Sequence, residues 1–166
     1  MAFSIQLGEI FIAAYEQERA DLSLLDDDEY SHVHGELRIY VDGKLLPCVG
    51  FFSPDDVCLN DWAGVLWTAS SRLRADESGI YVFDEGEQGQ PAFVFQREGD
   101  RVLISVVDSE LGDGRADPAW DRVPCGLDEF LDGASQFLWD LRERVRQKAD
   151  PVEAERWWSD ITGTDS

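Results

Sequence analysis

HGELRIYVDGKLLPCVGFF, residues 34–52, decides the fold class. From His34 to Val41 the residues alternate strictly, with Leu37, Ile39 and Val41 on one side and Glu36, Arg38 and Tyr40 on the other. A period of two is that of a strand with one buried face. Asp42-Gly43 then supplies a two-residue hairpin turn, and LLPCVGFF is expected to return as the next strand.

The neighbouring segments extend this hairpin in both directions. FSIQLGEIFIAAYEQ, residues 3–17, is apolar at Phe3, Ile5, Leu7, Ile10 and Ile12, which predicts a first strand with an irregularity near Gly8. Ser53-Pro54-Asp55-Asp56 breaks the chain after the hairpin. A helix is expected from about Asn60, read as its N-cap, to Arg74. Trp62, Val65, Leu66, Ala69 and Leu73 form its apolar stripe. Beyond Ser78-Gly79, three further strands are expected in GIYVFDEG, QPAFVFQRE and RVLISVVDSE, the last two joined by Glu98-Gly99-Asp100. WDRVPC reads as a short edge strand, a place that tolerates Pro124.

A second helix is expected from Leu127 to Lys148, buried along Leu127, Phe130, Leu131, Ala134, Phe137, Leu138, Leu141 and Val145. Asp128 and Glu129 lead it and Arg142, Arg144, Arg146 and Lys148 close it, as the helix dipole favours. Asp150-Pro151 stops this helix, and VEAERWWSDI begins another short one. The expectation is one α+β domain over residues 1–166. It has an antiparallel sheet of about six strands with two main helices packed on one face.

Composition narrows the function. The 166 residues carry 35 acids against 14 Lys and Arg, a formal charge of −21. Solubility needs a net charge of only about 2–8 in magnitude. The excess surrounds the molecule with a negative field that repels nucleic acid and anionic membrane and speeds encounter with basic proteins. Adaptation to high salt, or a GC-rich genome, is the competing account, and twelve Arg against two Lys fits it. No run approaches the ~20 apolar residues of a membrane span. MAFSIQLGEIF lacks the marks of a secretory signal. Cys48, Cys58 and Cys125 are odd in number and lack C-x-x-C spacing, which points to a reduced cytoplasmic protein with buried thiols.

No motif carries strong catalytic chemistry. His32 and His34 lie two apart on an extended segment beside Glu36, so both rings project from one face, and imidazoles with a carboxylate are legitimate zinc ligands. They are the sole histidines, and a structural zinc site usually draws four ligands from separated elements. Exposed histidines on a solvated face are the preferred reading, with no metal or cofactor expected. Asp26-Asp27-Asp28-Glu29 and DSELGDGRAD (108–117) lack the ligand spacing of a calcium loop. FDEGEQGQP (83–91) has glycines but no G-K-[ST], and its carboxylates would repel phosphate. Ser105, Ser109 and the cysteines sit in no nucleophile elbow. No catalytic residue is assigned. Trp157-Trp158 read either as caps on the core edge or as one exposed interface anchor.

FDEGEQGQPAFVFQREGDRVLISVVDSELGDG (83–114) and LDEFLDGASQFLWDL (127–141), in a small, acidic, Trp-containing α+β chain, resemble the immunity proteins of bacterial toxin competition systems. The resemblance implies a cytoplasmic inhibitor that binds one cognate toxin, often a basic nuclease, and occludes its active site. It carries over no functional position. The reading that follows is a non-enzymatic binding protein for a basic protein partner, with no nucleic acid or membrane partner. Its contacts are assigned to Asp26, Asp27, Asp28, Glu29, Asp84, Glu85, Glu87, Asp108, Glu110 and Asp113. Two alternatives are a nucleic-acid mimic that inhibits a DNA-binding defence protein and a metal-dependent enzyme centred on His32 and His34.

Overall fold

A computed structural model describes residues 2–14, 19–51 and 53–164. The chain is α+β, but among the described residues its strands form two antiparallel sheets of four, not one sheet of six, accompanied by three α-helices and a short 3-10 turn at Leu22–Leu24. Tyr15–Gln17, at the end of the predicted first strand, and Phe52, at the end of the predicted return strand, lie outside the described residues.

In the first sheet, β1 (Phe3–Ile12) runs antiparallel to β2 (Val33–Val41). The register slips between Leu7 and Ile10, at the irregularity expected near Gly8. A Cβ at Gly8 would collide with the side chain of Glu36, so glycine allows the two strands to approach. Arg144 donates to the carbonyls of Gly8 (2.7 Å) and Leu7 (3.2 Å), satisfying groups that the slipped ladder leaves over. In β2, Val33, Gly35, Leu37, Ile39 and Val41 are buried and the alternate residues half-exposed.

Asp42 and Gly43 both have positive φ (49° and 78°), the backbone of a two-residue hairpin turn. The predicted return strand is cut to β3, Lys44–Leu45. Pro47 offers no N–H and Cys48 turns to φ 62°, so the chain leaves the sheet. The vacated length of β2 is taken instead by β4 (Val57–Cys58), with His34 opposite Cys58 and Gly35 opposite Val57.

The second sheet is the meander β5 (Ile80–Phe83), β6 (Ala92–Glu98), β7 (Arg101–Val107) and β8 (Val123–Gly126), in that spatial order. β8 is an edge strand, as Pro124 predicts. Between the sheets in sequence comes α1 (Leu59–Ala75), whose whole predicted stripe is buried. Its N-cap is Cys58 and not Asn60, which lies inside the first turn with its side chain engaged elsewhere. α2 spans Leu127–Lys148 as expected, and α3 spans Pro151–Thr162. The Asp150 carboxylate accepts from the N–H groups of Val152 and Glu153 to cap α3, Pro151 opens it, and Gly163 closes it at φ 69°.

α1 and α2 each touch both sheets. Phe130 of α2 lies against Phe3 of β1 and Phe95 of β6, at centroid distances of 5.0 and 5.8 Å. Trp157 and Trp158 are both buried, at 2% and 6% exposure, so neither is an interface anchor. The exposed tryptophan is Trp139 of α2, at 61%. Cys125 is buried and Cys58 half-buried, but Cys48 is exposed, contrary to the expected buried thiols. Among the described residues no helix is long and apolar enough to cross a membrane.

Candidate functional site

Register brings together three side chains that are separated in sequence. His34 projects from the half-exposed face of β2, and Cys58 stands directly opposite on β4. His32 is two residues upstream, its carbonyl accepting from Ala13 N–H at 3.0 Å and so continuing the β1 ladder. One ring nitrogen from each histidine and the Cys58 sulfur all lie within 4.8 Å of one another. Cys58 Sγ is 4.0 Å from His32 Nδ1. The expected pairing of the two rings on one face holds, but the third member is Cys58 and not Glu36. Sequence spacing hid it, because Cys58 reaches β2 only after the return strand has left.

Carboxylates surround this cluster. Asp56 Oδ1 sits 2.6 Å from His34 Nδ1 and fixes the ring. Asp61, Glu85, Val49, Phe51 and Trp62 join His34, Asp56 and Cys58 around a cavity of about 190 Å³. Burial pushes the Cys58 thiol up to about 12, and the Asp61 carboxylate pushes in the same direction. Burial of its carboxyl, then the charges of Asp61 and Glu87, raise Glu85 as well, although much of that residue faces solvent. Three carboxylates thus crowd one end of α1.

The ten predicted contact acids divide into two groups. Asp26 accepts from the N–H groups of Asp28 (3.0 Å) and Tyr30 (2.9 Å) and shapes its own turn. Asp84 accepts from Ser109 Oγ (2.7 Å) and from the N–H groups of Glu110, Gly86 and Leu111. Asp108 accepts from Ala116 N–H and Asp113 from Gly89 N–H, both at 2.8 Å. These four hold loops together. Asp27, Asp28, Glu29, Glu85, Glu87 and Glu110 are exposed and form no ion pair with a described residue.

The loop braces join regions distant in sequence. Asp84 and Asp113 tie the 84–90 loop to the 108–117 loop, so Glu85, Glu87 and Glu110 belong to one braced surface. The acidic run at 26–29 leads to Ser31, whose carbonyl accepts from Asn60 Nδ2 at 2.9 Å. Asp61 is the next residue and shares the cavity with Glu85. Both acidic loops therefore converge on the first turn of α1.

Ser109 and the three backbone amides hold the Asp84 carboxyl below the usual carboxylate range. Its contribution to stability is therefore complete above the ordinary carboxyl pKa and lost as pH falls through the lowered value. Asp84→Ala is expected to cost about 1–3 kcal/mol at neutral pH, read by urea denaturation, because several amides lose a charged acceptor. The difference from wild type should shrink in acid. A variant as stable as wild type at pH 7 would show that the two loops do not depend on this carboxylate.

Comparison with family models, curated proteins and solved structures finds no match to this chain.

Proposed function

We propose that the protein is a non-enzymatic binding protein that neutralises a basic protein partner, in the manner of an immunity protein held against a toxin domain. The carrying observation is how differently its two signs of charge are used. Arg19, Arg38, Arg115, Arg122, Arg142, Arg146 and Arg156 pair with the protein's own carboxylates. Arg97 and Arg144 donate to carbonyls, and Lys44 donates to the Ala119 carbonyl and covers the Trp120 ring. Many of the cations are thus engaged by the protein's own carboxylates and carbonyls, although several stay exposed, while six of the assigned acids are left to solvent.

Solvent-exposed carboxylates on two loops beside the α1 N-terminus suit a partner rich in Lys and Arg. A nuclease carries such groups to hold phosphate. Negative potential steers that encounter, and contacts that lose water on docking slow dissociation. Phe51, 49% exposed at the cavity rim, offers an apolar centre within this charged surround.

The test is a binding titration against the basic protein encoded by the adjacent gene, over a range of salt. Association is expected to slow steeply with salt. Neutralising Asp27, Asp28 and Glu29 together, or Glu85 and Glu87 together, should slow it by about tenfold or more. A complex indifferent to both salt and these substitutions would overturn the reading.

A further inference from the structure

We propose that His32, His34 and Cys58 form a binding site for a divalent transition-metal ion, with zinc the best fit. This goes beyond the partner-binding function and does not rest on it. Two imidazoles and a thiolate are the ligand chemistry of zinc and its neighbours, whereas magnesium and calcium require oxygen. Tetrahedral zinc holds nitrogen at about 2.0 Å and sulfur at about 2.3 Å, which places its ligand atoms roughly 3.3–3.6 Å apart. The three donors here already lie within 4.8 Å of one another. Small side-chain rotations close the remaining gap.

The backbone pre-arranges the set. His34 and Cys58 are a directly opposed cross-strand pair, whose Cβ atoms are about 4.5–5.5 Å apart in such a ladder. His32 shares a face with His34 through the two-residue period of the strand. Asp56, 2.6 Å from His34 Nδ1, stands where metal sites place the carboxylate that orients a ligating imidazole, leaving Nε2 as the metal-facing nitrogen. Two ligands therefore come from a pair of opposed strands, the third from the residue just before β2, and the orienting group from the residue before β4.

Charge favours the same occupant. A cation at this point sits among the carboxylates of Asp56, Asp61 and Glu85, which line the cavity beside His34 and Cys58. On binding, both imidazoles ligate in their neutral form and the Cys58 thiol releases its proton to solvent, so sulfur enters as thiolate. Three protein donors leave a fourth position for water.

The experiment uses the full chain, stripped with EDTA and titrated with Co²⁺ and then Zn²⁺ in excess Mg²⁺. The magnesium occupies surface carboxylates that bind divalent ions without selectivity. One equivalent of Co²⁺ is expected to bind, with a thiolate-to-cobalt charge-transfer band in the near ultraviolet, and Zn²⁺ should displace it. Cys58→Ser should abolish the band, and His34→Ala should weaken Co²⁺ binding by about a hundredfold or more, with circular dichroism confirming that both variants fold. Absence of the band in wild type, its survival in Cys58→Ser, or loss of all binding to Mg²⁺ would each overturn the proposal. The wild-type spectrum decides the matter even if a variant does not fold.

Discussion

Trp62→Ala is expected to remove about 3–5 kcal/mol of stability, with a further ~1–3 kcal/mol from a polar group left without its partner. Trp62 is 1% exposed and meets Phe83 and Phe93 of the second sheet edge-on, at centroid distances of 5.6 and 5.0 Å. Its Nε1–H donates to the Val49 carbonyl at 2.9 Å, on the segment that leaves the first sheet after β3. One side chain therefore fastens α1 to the second sheet and to the segment that follows β3. Alanine would leave a void the size of an indole and a buried carbonyl without a donor. Because domains are stable by only about 5–15 kcal/mol, the variant should unfold near ambient conditions in guanidinium titrations. Trp62→Phe keeps most of the ring and loses the N–H, and should cost about 1–3 kcal/mol. A Trp62→Ala loss below about 1 kcal/mol would be incompatible with this packing.

Asn60→Ala is the second large effect, at about 2–4 kcal/mol, because one side chain satisfies three groups. Asn60 Oδ1 accepts from Val33 N–H and from Trp157 Nε1–H, both at 3.0 Å, while Nδ2 donates to the Ser31 carbonyl. These bonds tie α1 to the start of β2 and to α3. Asn60→Asp would keep the acceptor but set a carboxylate oxygen against the Ser31 carbonyl, so it should not rescue the loss. Urea denaturation reads the stability, and tryptophan fluorescence reads the loosening around Trp157. Val33 lies between His32 and His34, so the substitution should also weaken cobalt binding. Wild-type stability in Asn60→Ala would show that water replaces the amide at no cost.

Periodicity carried much of the architecture. Leu37, Ile39 and Val41 alternate into the core, both ends of α2 fall where the sequence places them, and six of its eight predicted stripe residues are buried, with Leu127 and Leu131 half-buried against the core, because burial of one face imposes a period of 2 or 3.6 on any strand or helix. Asp42-Gly43, Pro124 and Asp150-Pro151 were equally legible, since backbone dihedrals and missing donors act locally. Periodicity does not say which strand pairs with which. The meander could not be separated from the first sheet by pattern alone, and LLPCVGFF looked like a full strand although Pro47 and Cys48 turn it away after two residues.

The candidate site divides in the same way. That His32 and His34 share a face followed from their spacing, whereas Cys58 joined them only when β4 took the place vacated beside β2. Acidity was plain from composition, yet which carboxylates hold loops and which face solvent was not. Asp84 and Asp113 are bound to amides more than twenty residues away, and Asn60, a reasonable N-cap in isolation, bridges to Trp157 near the other end of the chain. Local pattern records how each segment divides between water and core. Partners across long sequence separations are chosen by the packing of the whole chain, which no short stretch encodes.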